Sequence, residues 1–190
     1  MKGSMNHARV DEMIQMLDDA VERQEIHGCC TAVKSALEEI VKSGEDFIPA
    51  EFLKPSADRY SRRLLHLDPN HRYSLLVMVW DKGQGTALHD HAGMWCVECV
   101  YRGRIRVTSF ACTGIEAGLH QFHPELEVFA TAGEAGALIP PFDHHTLANA
   151  EDEPAVTLHV YGGEMLWCDA FVPVEGGYKM VKRELSYTAA

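Results

Sequence analysis

Positive charge is scarce in this chain. Its 190 residues hold 17 lysines and arginines against 28 aspartates and glutamates, a formal net charge of -11. Nonspecific nucleic-acid binding draws on clustered Lys and Arg, so no nucleic-acid partner is expected. An anionic small substrate stays possible, because one buried arginine can set a local field. Long apolar runs are lacking too: none approaches a membrane span, and nothing resembles a secretory signal. No membrane partner is expected, and the cytoplasm, with reduced thiols, is the expected compartment. Met1 to Ser4, ahead of a second methionine at Met5, read as an expression remnant.

Six cysteines do not make a disulfide framework here. Cys29 and Cys30 are adjacent, Cys96 and Cys99 share one apolar run, and Cys112 and Cys168 stand alone. Cys96-x-x-Cys99 lacks the second half of a zinc ribbon and sits in a strand pattern. No glycine-rich phosphate loop, heptad run or internal repeat is present.

What is present changes character along the chain. Val10, Met13, Ile14, Leu17 and Val21 recur at helical spacing, as do Val33, Ala36, Leu37, Ile40 and Val41. Gly28 is expected to break these two helices and Ser43-Gly44 to end the second, with a third short helix around 49–53. From Tyr73 the pattern becomes short strands: 73–80, 86–91, 94–102, 104–111, 126–131, 136–139, 145–150, 155–162, 166–174 and 178–186. Residues 112–125 read as the long loop. Such spacing suggests a mainly β sandwich or small barrel.

His89 and His91 lie two apart, so in a strand both leave one face and could hold one divalent metal. The run reads Gly83-x5-His89-x-His91-x4-Cys96-x6-Gly103, and Pro140-x4-His145-x3-Asn149 follows. These spacings resemble the two motifs of the cupin superfamily, with Cys96 where many cupins carry a glutamate ligand. The second motif selects His145 over its neighbour His144, although Phe142 stands where glycine is usual. In "AVTLHVY", Thr157, His159 and Tyr161 share one face. That row is either wet or a buried hydrogen-bonded network.

Together "RYSRRLL" (59–65), "HDH" (89–91), Cys96, "HTLAN" (145–149) and "EPAVTLHVY" (153–161) resemble the cysteine dioxygenase family of thiol dioxygenases. The resemblance runs from about Asp58 to Tyr161, and more weakly to the C-terminus. It implies a single cupin domain over 1–190: a small jelly-roll β-barrel over 59–186 behind a helical segment over 5–55. It also implies Fe(II) held by His89, His91 and His145. Tyr161 would stand beside the iron, with Cys96 placed for a thioether link to it. His159 would hydrogen-bond Tyr161, with Thr157 behind. Arg62 would grip a substrate carboxylate, Tyr60 would line the pocket, and Trp80 matches a family tryptophan near the site.

The chemistry is consistent with that set. Imidazoles suit iron, and a facial three leave open positions. Three neutral ligands leave the cation's charge to favour substrate thiolate. The expected partners are dioxygen and a small thiol carrying a carboxylate. L-cysteine, oxidised to its sulfinate, leads over 3-mercaptopropionate or another mercaptocarboxylate, because relatives that prefer 3-mercaptopropionate tend to carry Gln at the position of Arg62.

Glu98 shares the alternation of Cys96. It would reach the metal only through a bulge; an ion pair with Arg104 or Arg106 is the ordinary explanation. A noncatalytic metal-binding cupin sensor is the rival from another class. His7, His27, His66, His71, His120 and His123 read as surface or loop residues. Oligomeric state is not legible.

Overall fold

The fold is that of a computed structural model, which describes residues 2–22 and 25–189. Two helices, α1 (Lys2–Val21) and α2 (Ile26–Lys42), and a 3-10 turn (Ala50–Leu53) precede eleven strands. No described helix is long and apolar enough to cross a membrane. Gly28 does not break the helices. It lies in the first turn of α2, where the Glu25 side chain caps the helix by accepting from the backbone N–H groups of His27 and Gly28 at 2.8 and 2.6 Å. A capping acceptor satisfies donors that a helix start otherwise leaves open.

The strands are β1 (Ser61–Leu67), β2 (Ser74–Trp80), β3 (Leu88–His89), β4 (Cys96–Arg102), β5 (Arg104–Glu116), β6 (Leu119–Thr131), β7 (Ala135–Leu138), β8 (His145–Asn149), β9 (Ala155–Tyr161), β10 (Trp167–Val174) and β11 (Gly177–Glu184). One sheet runs β1-β2-β9-β4-β7, and β10-β11-β6-β5-β8-β3 close on themselves because β3 pairs back to β10. This is a mainly β, cupin-type jelly-roll barrel with helices at its N-terminal side.

Two sequence expectations fail here. Strands begin at Ser61 rather than Tyr73, because the adjacent Arg62 and Arg63 break the apolar alternation at the start of β1, yet both are buried. Arg63 satisfies its guanidinium on the carbonyls of Phe52, Lys54 and Ala189 and on Ser61 Oγ. The expected loop over 112–125 is instead the far half of a long hairpin. Ala117 and Gly118 both take positive φ, 49° and 81°, between the paired residues Glu116 and Leu119. Two left-handed residues in succession match the twist of the flanking strands.

The helices explain why the central strands are buried on both faces. Leu75, Val77 and Val79 of β2, Val97 and Cys99 of β4, and Val156, Leu158 and Val160 of β9 form one core with Leu17, Val33, Leu37 and Ile40. Each such aliphatic burial contributes roughly 1.5–3 kcal/mol. The alternate residues of the same strands face into the barrel. Cys96 lies opposite Tyr161, Glu98 opposite His159, and Val100 opposite Thr157 across β4 and β9. Met78 of β2 lies opposite Thr157 on the other side. With helices over one face and the barrel over the other, the row Thr157, His159, Tyr161 is buried rather than wet.

Candidate metal and substrate site

Three imidazoles meet inside the barrel. The ring centroids of His89 and His145 are 4.7 Å apart, those of His91 and His145 5.0 Å, and those of His89 and His91 5.3 Å. One ring nitrogen from each lies within 4.8 Å of the others. Strand β3 ends at His89, so the pair does not share a regular strand as expected; His91 follows it into the turn. His145 comes from the start of β8, paired to His89. Its neighbour His144 turns away and packs on Phe122 and Phe171.

The surroundings fit these rings to a metal. His89 Nδ1 is 3.0 Å from the Ala87 carbonyl, and His91 Nδ1 is 3.0 Å from Asp143 Oδ2. A partner on one ring nitrogen holds the proton there and leaves the other's lone pair for a cation. His91 Nε2 and both His145 nitrogens are buried without a hydrogen-bond partner. Orphaned buried polar atoms are rare, and a bound divalent ion would satisfy His91 Nε2 and one nitrogen of His145. Burial pushes His89 down to about 4 and His145 well below the usual histidine range, so both are neutral at pH 7. Asp143 was not singled out in the sequence; a carboxylate directly before "HH" was the available signal.

A directional chain of hydrogen bonds runs beside the rings. Trp80 Nε1–H donates to Thr157 Oγ1 at 2.8 Å, and Thr157 Oγ1 lies 2.7 Å from His159 Nε2. His159 Nδ1 is 3.2 Å from Glu98 Oε1 and 3.3 Å from the Tyr161 hydroxyl. An ionised carboxylate only accepts, so Nδ1 carries the proton and Thr157 donates to Nε2. The Tyr161 O–H is then free to donate elsewhere. Burial drives the Tyr161 phenol well above its usual range, which keeps that proton on it. Cys96 is likewise pushed up by burial.

Glu98 departs from the expected surface ion pair. It lies in the interior, its side chain 11% exposed, with Oε1 3.6 Å from His145 Nε2. No bulge is needed, because β4 stays in register with β9 from Cys96 to Val100. Arg104 instead lies over the Phe129 ring at 4.7 Å. Burial opposes the charge on Glu98, but His145 and then His159 outweigh it and keep the carboxyl below its ordinary range.

Arg62 completes the cavity. Its guanidinium carbon is 5.8 Å from the Tyr161 ring centroid, Nη2 donates to the Met165 carbonyl at 2.5 Å, and Nη1 is buried without a partner. Tyr60 stacks on Trp80 with centroids 4.6 Å apart. One cavity is lined by Tyr60, Arg62, His89, Glu98, His159 and Tyr161, with Met165 and Cys168 also on its wall. Neither Met165 nor Cys168 carried a sequence signal for the site. Of the remaining histidines, His66 and His120 are not simple surface residues. They lie in β1 and β6 and pack on Tyr73 and on Phe171.

A model of the family described as cysteine dioxygenase type I matches residues 3–173. The chain belongs to that family. Cysteine dioxygenase type 1 of Danio rerio is 23% identical over 181 residues, covering 94% of this chain and 86% of that protein. The human cysteine dioxygenase type 1 is 26% identical over 123 residues, 64% of this chain but only 60% of its own length. Among solved structures, a Klebsiella pneumoniae protein with a double-stranded β-helix domain superposes with a TM-score of 0.45 at 17% identity, over 73% of this chain and all of its own.

Proposed function

We propose that this member of the cysteine dioxygenase family is an iron-dependent thiol dioxygenase of the cytoplasm. It adds both atoms of dioxygen to the sulfur of L-cysteine and releases the sulfinate. One observation carries the reading. Three imidazoles cluster, with unpartnered nitrogens on His91 and His145, and the third, His89, shares a cavity wall with an arginine whose Nη1 is unpartnered. Held by His89, His91 and His145, iron(II) would supply the redox chemistry that dioxygen needs to react with a thiolate.

The chain's own residues do the rest. Arg62 reaches the substrate carboxylate through Nη1, while Nη2 stays on the Met165 carbonyl. Tyr60 walls the pocket from its seat on Trp80. Tyr161 donates its hydroxyl proton to oxygen as charge develops there, oriented by His159 and, behind it, Thr157. Cys96, opposite Tyr161, is set to form the thioether, a two-electron oxidation with dioxygen as acceptor. The linked form would weigh two hydrogens less than the sequence requires.

A second reading has a specific observation behind it. Ligand atoms of His91, Cys96 and Glu98 also lie within 4.8 Å of one another. Glu98 would then be a fourth protein donor, as in cupins that use three histidines and a glutamate. The 3.2 Å contact between His159 Nδ1 and Oε1 favours the first reading.

Anaerobic loading with Fe(II), followed by oxygen uptake with L-cysteine and then 3-mercaptopropionate, tests the assignment. Sulfinate from cysteine supports it. A preference for 3-mercaptopropionate moves the substrate, and no uptake with either thiol leaves a metal-binding sensor.

A further inference from the structure

Two neighbouring arginines on β1 are buried and are used differently. Arg63 spends its guanidinium on the carbonyls of Phe52, Lys54 and Ala189 and on Ser61 Oγ. Arg62, on the cavity wall, donates through Nη2 to the Met165 carbonyl, and its Nη1 is buried without a partner. A bond through one nitrogen does not fix a long side chain.

Two aromatic rings complete the hold. The Arg62 guanidinium carbon lies 5.8 Å from the Tyr161 ring centroid and 5.1 Å from that of Tyr187. A cation over a ring face at such a distance is attracted by the ring's quadrupole. Tyr187 follows β11 in a segment tied down on both sides. Before it, the Leu185 N–H donates to the Leu166 carbonyl at 2.8 Å. After it, the Thr188 N–H donates to the Arg62 carbonyl at 2.7 Å, and the Arg62 N–H donates to Thr188 Oγ1 at 3.0 Å. The Tyr187 hydroxyl donates to Glu164 Oε1 at 3.0 Å, next in the chain to the residue whose carbonyl takes Arg62 Nη2. Burial chiefly pushes this phenol up to about 12, so it stays a neutral donor at pH 7. The segments 164–165 and 187–188 thus grip both the backbone and the guanidinium of Arg62.

Resting on the dioxygenase reading above, we infer that Tyr187 is a positioning residue for substrate recognition: its ring holds the Arg62 guanidinium so that Nη1 is left for a carboxylate. The side chain is thereby ordered before the substrate arrives, and preorganisation of that kind raises affinity. The effect is confined to ligands that carry an acid. A thiol without a carboxylate makes no use of Nη1 and gains nothing from Tyr187.

The test compares Tyr187→Leu, which removes the ring face, with Tyr187→Phe, which keeps the ring and loses the hydroxyl. Iron content is measured first. Anaerobic calorimetry of the iron-loaded protein then gives affinities for L-cysteine, 3-mercaptopropionate and 2-aminoethanethiol, a thiol with no carboxylate. In Tyr187→Leu the two acids should bind about three- to tenfold more weakly, the order expected for one contact between a cation and a ring. Binding of 2-aminoethanethiol should match wild type, and iron should be retained. In turnover of L-cysteine the loss should fall on KM rather than kcat. Tyr187→Phe should restore most of the affinity. An equal loss on all three thiols overturns the inference, because Tyr187 would then only support the fold. Unchanged affinity for the acids in Tyr187→Leu overturns it too. So does a loss in Tyr187→Phe as large as that in Tyr187→Leu, which would credit the bond to Glu164 instead of the ring. Wild-type protein that binds these thiols and turns over none sinks the dioxygenase reading instead, and the affinities still decide the role of Tyr187. If Tyr187→Leu fails to fold, Tyr187→Met takes its place in the comparison.

Discussion

One oxygen of Asp143 holds His91 twice. Oδ2 lies 3.0 Å from the His91 ring Nδ1 and 3.0 Å from its backbone N–H. Both residues are buried, so no water competes for either contact. The carboxylate therefore fixes the tautomer and the ring plane of a proposed metal ligand. Asp143→Ala should weaken metal binding by about 10–100-fold, the usual cost of losing such a supporting partner. Asp143→Asn, which keeps an acceptor, should recover part of it. Competitive chelator titration reads both. Equal affinities in wild type and Asp143→Ala would show that His91 needs no such support.

Thr157 joins two buried rings, accepting from Trp80 and donating to His159. Thr157→Val keeps the shape and removes the hydroxyl. The Trp80 indole N–H and His159 Nε2 would both lose their partner, and an unsatisfied buried group costs about 1–3 kcal/mol. Denaturant unfolding should show that loss. Nitrogen chemical shifts of His159 should show a weakened preference for the Nδ1–H tautomer. A stability change with no change in the tautomer would mean that Thr157 only fills space.

Acid should also weaken the fold away from the site, at Asp68. Asp68 is buried and accepts from Arg72 Nε at 3.0 Å, Arg72 Nη2 at 2.8 Å, and the backbone N–H groups of Arg72 and Asn70. Hydrogen bonding to Arg72 chiefly holds its carboxyl down at about 2, against an ordinary value of 3.8. Between those values the unfolded chain takes up a proton that the folded chain does not. The stabilisation is therefore present above 3.8 and is lost as pH falls through about 2. Its size is about 2 kcal/mol. Urea unfolding at about pH 6 and about pH 2.5 should show wild type losing that much more than Asp68→Asn. Parallel losses in the two proteins would rule out Asp68 as the source.

The sequence was readable where chemistry and period coincide. His89, His91 and His145, the row Thr157-His159-Tyr161, and the pair Arg62 and Tyr60 all line or adjoin one cavity. Their spacings are fixed by short strands of a barrel. The helical stripes in α1 and α2 were readable for the same reason. Strand β1 was not, because its arginines satisfy themselves on carbonyls contributed by distant segments, which no local pattern encodes. The long hairpin was missed because its polar, exposed strands lack the alternation that marks a half-buried one. Glu98 shows the limit most clearly. Its alternation with Cys96 left an inward direction open, but the expected ion pair with Arg104 or Arg106 does not form, because the register of β4 against β9 sets it opposite His159.

Tyr161 gives the sharpest test of how protons move in this cavity. Its hydroxyl is 3.3 Å from His159 Nδ1 and donates to Met78 Sδ at 3.9 Å, a weak acceptor that an oxygen can readily replace. Tyr161→Phe removes one oxygen and leaves the ring stack on His159, whose centroid is 5.9 Å away. None of the three proposed metal-binding histidines takes a hydrogen bond from this hydroxyl, so iron content should not change. Turnover should fall about 10²–10⁴-fold, the range for losing a positioned proton donor. Substrate affinity should stay near wild type, because on the proposed reading the carboxylate would be held by Arg62, whose Nη2 donates to the Met165 carbonyl and not to the phenol. A matching drop in affinity would instead make Tyr161 a wall of the binding pocket. Undiminished turnover would move the proton source to another group, with Tyr60 the nearest remaining phenol on the same cavity wall.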